Sequence, residues 1–183
     1  MKSFAQKMKS LSILLGFLIL AGCTGVDVKD YKGTQPKFAV EEYFAGNTVA
    51  TGVFQDRFGK VRRTFEVTID GTWDEDSKTL TLDEDFVYND GETEKRIWKI
   101  TKLNDHDYEG TAGGVVGKAT GSAYGNAFNW EYTFDLPYND DTLRVHFNDW
   151  MYLVDEETVF NKAVITKFGF RLGDVYIFFK KKD

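Results

Sequence analysis

Two stretches of the chain alternate between apolar and polar side chains with a period of two. Phe65, Val67, Ile69, Gly71 and Trp73 hold one parity, and Thr64, Glu66, Thr68, Asp70 and Thr72 the other. Phe128, Trp130, Tyr132, Phe134 and Leu136 alternate in the same way with Asn129, Glu131, Thr133 and Asp135. Successive side chains of a strand point to opposite faces, so this spacing predicts strands with one dry and one wet face. Turn signals recur between such runs: Phe58-Gly59-Lys60, Asp74 to Ser77, Asn89-Asp90-Gly91, Asn104 to Asp107, Asn139 to Asp141, Asp155 to Glu157 and Gly173-Asp174. The strands they bound are about 47–58, 60–74, 78–89, 93–104, 107–121, 126–136, 142–154, 161–172 and 175–182. Helical spacing is confined to the segment after Pro36, from Lys37 to Phe44, and suits one or two turns before Gly46-Asn47.

Eight or nine sequential strands joined by tight turns predict an all-β antiparallel meander, and closure into an up-and-down barrel over residues 37–183 removes its two open edges. An eight-stranded barrel either fills with side chains or holds one small ligand. Phe54, Phe65, Trp73, Trp98, Trp130, Tyr132, Phe134 and Phe147 are the inward rings that would fill it. The segment 107–121 instead carries Gly110, Ala112, Gly113, Gly114, Gly117, Ala119 and Gly121. Glycine in a strand marks a bend or a close approach, so this wall either turns a barrel corner or stays thin to admit a ligand.

Composition narrows the function classes. The chain has 29 acidic against 23 basic residues, a net charge of −6, which argues against a nucleic-acid partner. One cysteine excludes an intramolecular disulfide, and two histidines are too few for a structural zinc cluster, so no metal or cofactor is expected. The acidic runs Asp74-Glu75-Asp76 and Asp83-Glu84-Asp85 lack the spacing of a calcium loop and are expected to be solvated turn charges. There is no Gly-X-Ser-X-Gly, and Gly110 to Gly114 lies inside a predicted strand rather than before a helix. His146 shares the polar parity of its strand and His106 lies in a turn, so both are expected to face solvent. No catalytic residue is assigned and an enzyme is not expected.

The first 22 residues have the pattern of a secretion signal. Lys2, Lys7 and Lys9 precede an apolar run from Leu11 to Ala21, too short to span a bilayer as a helix. Leu20-Ala21-Gly22-Cys23 resembles the lipobox of bacterial lipoproteins, which implies cleavage before Cys23 and its acylation. Two or more acyl chains suffice for stable membrane attachment. Thr24 in place of Asp implies, by the same resemblance, sorting to the periplasmic face of the outer membrane of a Gram-negative bacterium. Removing residues 1–22 takes away three lysines and no acid, so the net charge falls from −6 to −9. Such a body is expected to stand off anionic lipid on a polar tether over 23–36. A transmembrane β-barrel fits poorly, because the polar parity is too strongly charged for a lipid-facing band.

The segment 142–154 changes face midway. Leu143, Val145 and Phe147 are apolar on odd positions, then Trp150, Tyr152 and Val154 on even ones, which predicts a β-bulge near Asn148-Asp149. Asp149 and Trp150 are therefore the first site candidates, joined by Asn126, Trp130, Asn161 and Lys167. An inward Asp149–Lys167 pair with two amides would bind a polar head group above an apolar cavity. The alternative is that Asp149, Asn126 and Asn161 satisfy backbone groups at bends while Lys167 is solvated.

The strings Gly125-Asn126-Ala127-Phe128-Asn129-Trp130-Glu131-Tyr132, Asn148-Asp149-Trp150-Met151-Tyr152, Asn161-Lys162-Ala163 and Lys167-Phe168-Gly169 together resemble the DUF3833 family of proteobacterial lipoproteins. The resemblance implies a lipocalin-like (calycin) barrel with no assigned activity. The expected function is that of an outer-membrane-anchored periplasmic lipoprotein that binds or carries a hydrophobic ligand, a fatty acid or lipid. The alternative is a non-enzymatic envelope assembly or maintenance factor that acts through protein contacts.

Overall fold

The computed structural model describes residues 25–138 and 141–182. Cys23 and the leader lie outside the described residues. Ten strands follow in order: β1 (Gly46–Asp56), β2 (Val61–Asp74), β3 (Thr79–Tyr88), β4 (Thr93–Lys102), β5 (Asp107–Thr111), β6 (Ala119–Tyr124), β7 (Ala127–Tyr138), β8 (Asp141–Leu153), β9 (Thr158–Lys167) and β10 (Phe170–Lys181). Each pairs antiparallel with its sequence neighbour, and β1 pairs with β10 from Thr48↔Lys181 to Asp56↔Gly173. The sheet is a closed barrel with no free edge.

The expectation of eight or nine strands fails by one, at the glycine-rich wall. Residues 107–121 do not form one strand: β5 ends at Thr111 and β6 begins at Ala119. Between them Gly114 and Gly117 adopt positive φ (86° and 75°), which turns the chain back on itself. Both short strands then run beneath a large ring of the next strand. A side chain at Gly110 would stand 3.0 Å from the Trp130 indole, and one at Gly121 would run into the same ring. The glycines thus admit an indole from within the barrel as well as turning a corner.

The inner parity of the strands carries the core. Val67 and Ile69 of β2, Leu80 and Leu82 of β3, Phe128 and Trp130 of β7, and Val145 of β8 are all buried. No register shift occurs in β8 against either neighbour, so the predicted bulge at Asn148-Asp149 is absent. The odd parity runs on through Asp149, Met151 and Leu153, while Trp150 and Tyr152 stay outside. They are apolar there because the N-terminal segment covers them. The Tyr31 ring lies 6.1 Å from Trp150 and 5.5 Å from Tyr152, centre to centre. Register shifts occur instead between Phe54 and Gln55 and between Arg171 and Gly173, at one end of the barrel.

That N-terminal segment, the polar tether of the sequence reading, packs on the barrel through Tyr31 and Thr34. A 3-10 turn (Val28–Tyr31) is capped reciprocally: the Asp27 carboxylate accepts from the Lys29 backbone N–H at 2.9 Å, and the Asp27 N–H donates to Asp30 at 3.1 Å. After it, the helix α1 (Val40–Phe44) closes one end of the barrel with Phe38, Val40, Tyr43 and Phe44 buried beneath it. Phe44 meets Phe179 edge-on at 5.5 Å, and Phe38 meets Phe128 edge-on at 6.3 Å. Glu41 fixes the plug to the wall by accepting from Lys102 Nζ at 2.5 Å and from the Tyr108 hydroxyl at 2.8 Å. The other end is formed by the β1–β2, β3–β4 and β9–β10 turns and the β5–β6 loop, together with the ends of β7 and β8. Phe58, Phe168 and Phe170 are exposed there.

Candidate ligand cavity

Between the plug and the far turns the barrel encloses a cavity of about 420 Å³. This falls in the range of roughly 300–1,000 Å³ occupied by small-molecule sites. Val40 and Phe44 form its floor, Leu136, Leu143 and Leu172 stand at the far end, and the wall is mostly apolar. Trp130 belongs to that wall, buried and edge-on to Trp98 at 5.9 Å.

Among the described residues of the cavity wall, five charged or amide side chains interrupt the apolar inner parity. They are Arg63 before Phe65, Glu84 between Leu82 and Phe86, Arg96 before Trp98, Asp149 between Phe147 and Met151, and Asn161 between Val159 and Ala163. All five line the cavity. Asn161 donates through Nδ2 to Asp149 Oδ1 at 3.3 Å and to the Trp150 carbonyl at 3.2 Å, which fixes the carboxylate on the β8–β9 wall. Arg96 faces Glu84 in the β3–β4 register. Its guanidinium nevertheless turns along its own strand to Glu94, with Nε at 3.1 Å and Nη2 at 2.5 Å from Oε1. There it lies 4.8 Å from the Phe86 ring centre and 5.1 Å from that of Phe134. The Tyr88 hydroxyl donates to the other Glu94 oxygen at 2.7 Å. Arg63 lies over the Tyr88 ring at 3.5 Å and pairs with Asp90 at 2.8 Å and Glu92 at 2.5 Å. A polar track therefore runs from the far turns down to the middle of the cavity.

Burial dominates the electrostatics. Loss of water pushes the Glu84 carboxyl up to about 7, against the pull of the Arg96 charge and reinforced by Glu94, Asp149 and Asp83. Burial pushes Asp149 up to about 6, opposed by its contacts with Asn161 and Tyr132 and by the Arg96 charge. Glu94 is held below its ordinary value because Arg96 and the Tyr88 hydroxyl outweigh the burial that would raise it. Burial works against the Arg96 charge too, but Glu84 and Glu94 outweigh it and hold the guanidinium protonated.

The site residues expected from sequence separate into three groups. Trp130, Asp149 and Asn161 meet in the cavity wall. Trp150 points outward beneath Tyr31, and Asn126 sits in the β6–β7 turn, so neither is part of the cavity. Asn126 instead fastens the N-terminal segment: its Oδ1 accepts from the Thr34 hydroxyl at 2.7 Å, and its Nδ2 donates to the Leu153 carbonyl at 3.2 Å. Lys167 ends β9 with its Nζ 5.4 Å from the Phe168 ring centre, and Asp149 stands opposite Ala163 instead. The Asp149–Lys167 pair, one of the two alternatives, is not formed, the interior cation near Asp149 is Arg96, and Asn126 and Asn161 donate to backbone carbonyls as the other alternative has it. Glu84, expected to be a solvated turn charge, is inside. Its neighbours Asp83 and Asp85 face outward, where Lys95 bridges them at 2.6 and 3.3 Å. The signal for Glu84 was present in the alternation of Leu80, Leu82, Phe86 and Tyr88, whose parity it shares. His146 is exposed as expected, whereas His106 is half-buried and stacked on Tyr124 at 4.0 Å.

A family model described as "Protein of unknown function (DUF3833)" matches residues 17–181. The chain belongs to the DUF3833 family. No match was found among curated proteins. Among solved structures, this DUF3833 member is similar to the S-type phycobiliprotein lyase CPES from Guillardia theta. The TM-score is 0.55 at 10% identity, with 80% of this chain and 94% of that chain covered. At that identity the likeness is one of fold.

Proposed function

We propose that this DUF3833 protein is a carrier, not a catalyst, which holds the apolar part of a lipid-like molecule inside its barrel. The observation that carries the reading is the apolar cavity of about 420 Å³ with a few convergent polar groups on one side. Burial of an acyl chain among its rings would contribute on the order of 0.8 kcal/mol per CH₂. In the fuller proposal Cys23 is the acylated N-terminus that anchors the protein to the periplasmic face of the outer membrane. Fatty acids and lipids are the ligand classes that such a location offers.

The test is native mass spectrometry with solvent extraction of the chain from Thr24 onward, produced in a Gram-negative periplasm. Residues 25–182 hold every strand of the closed barrel and its plug. A stoichiometric lipid adduct is expected in the wild type and absent from Ala163→Leu, which fills the cavity wall. A second reading, a scaffold acting through protein contacts, is favoured by the exposed rings of Phe58, Phe168 and Phe170 beside the far turns. A bare mass that stays unchanged after incubation with fatty acids and phospholipids, together with one reproducible crosslinked partner, would support that reading instead.

A further inference from the structure

The carrier reading leaves open which head group the cavity accepts, and the interior charges bear on this directly. Glu84 is 8% exposed, lines the cavity and has no hydrogen-bond partner among the described residues. Its oxygens are not sealed among protein atoms but open onto the cavity, so whatever fills the cavity must supply their hydrogen bonds. The other polar groups nearby are already engaged. Asp149 is held by Asn161. Arg96 gives two N–H groups to Glu94, and Arg63 is spent on Asp90 and Glu92. Both inward-reaching guanidinium charges are thus matched by carboxylates, although N–H groups remain on each, the buried Arg63 Nε among them.

We infer that the molecule held in the cavity presents a hydrogen-bond donor, a hydroxyl or an ammonium group, to Glu84 and carries no free carboxylate. The inference rests on the carrier reading and narrows its ligand class. A ligand carboxylate would join Glu84, Glu94 and Asp149 around Arg96, the other cavity cation, Arg63, being matched by Asp90 and Glu92. Like charges in a poorly hydrated space repel with little screening, so the incoming anion would bind only with a proton of its own. A hydroxyl both donates and accepts, and so fits Glu84 whether or not it is protonated. An ammonium fits the ionised form through a charge-assisted bond. The apolar body of the ligand would lie along Trp98, Trp130 and Phe147, all in the same wall.

The experiment is a titration of the chain from Thr24 onward with three probes of equal chain length: hexadecanol, hexadecylamine and palmitate. Quenching of the cavity tryptophans is followed near neutral pH, with isothermal titration as a second readout. The alcohol and the amine are expected to bind at least about tenfold more tightly than palmitate, a difference of about 1.4 kcal/mol. In Glu84→Gln, which keeps the shape of the side chain, the amine is expected to lose its advantage and palmitate to gain. Glu66→Gln, on the outer face of β2, is expected to leave the order unchanged. Palmitate binding as tightly as the alcohol in the wild type, or an unchanged order in Glu84→Gln, would overturn the inference while leaving the carrier reading intact. Failure of all three probes to bind would overturn both.

Discussion

Glu84 and Arg96 are cross-strand partners in the β3–β4 register, yet among the described residues they form no salt bridge. The guanidinium takes Glu94 of its own strand at 2.5 Å and leaves Glu84 facing the cavity with its carboxyl pushed up to about 7. That choice of partner has consequences for stability as well as for binding.

An acid whose folded pKa is raised binds its proton more tightly when folded, so it weakens the fold as it ionises. Stability is therefore expected to fall as pH rises from the ordinary glutamate value of 4.5 through about 7. The Glu84 contribution to that fall is about 3 kcal/mol. Urea midpoints measured between these limits are expected to decline in the wild type and to decline less in Glu84→Gln. An equal slope in the two proteins would refute the assignment of the buried proton to Glu84.

Glu41 has the opposite sign. Burial raises it, but the bonds from Lys102 and Tyr108 outweigh that and hold it below 4.5. Its stabilisation is present above that value and lost on acidification. Glu41→Ala strands Lys102 and Tyr108 at the plug and is expected to cost about 3 kcal/mol by chemical denaturation. Glu42→Ala, the next residue and exposed, is expected to cost less than about 0.5 kcal/mol.

Gly71 of β2 lies beneath the plug, and a methyl group there would overlap the Phe44 carbonyl. Gly71→Ala is expected to push α1 away from the barrel end and to destabilise by roughly 2–3 kcal/mol. Gly113→Ala, at an exposed position with open space around it, is the control and is expected to leave the thermal midpoint nearly unchanged.

Tyr31 covers Trp150 and Tyr152, and Thr34 is held by Asn126. Tyr31→Ala is expected to release the N-terminal segment without opening the barrel. Proteolysis ahead of Pro36 should accelerate, and Trp150 emission should shift to the red, while the thermal midpoint changes by only a few degrees. Unaltered proteolysis would mean that the aromatic contact does not hold the segment down.

Alternation by itself determined the strands with one wet and one dry face. Phe65, Val67 and Ile69 of β2 and Phe128 to Phe134 of β7 follow a period that only a half-buried strand satisfies, and tight turns between such strands leave a meander with few alternatives. A β-branched or aromatic residue at every second position carries this information locally, within a few residues of each site. The glycine-rich wall was not legible in the same way. Gly110 and Gly121 look like parts of one weak strand until Trp130, contributed by β7, takes the space beside both.

The site followed the same division. Asp149 follows in sequence from a bulge that does not exist, since the outward Trp150 and Tyr152 are apolar only because Tyr31 packs on them, and Asn161 follows from a separate motif string. Sequence leaves Lys167 either paired with Asp149 or solvated and gives Glu84 to solvent, because a one-dimensional pattern states parity and not partners. Glu84 shares the inner parity of Leu80, Leu82 and Phe86, so its burial was encoded; its lack of a partner was not. Which cation meets which acid depends on strand register, barrel closure and the rotamer that turns Arg96 toward Glu94. Those are properties of residues distant in sequence brought within a few ångströms, and only the folded chain fixes them.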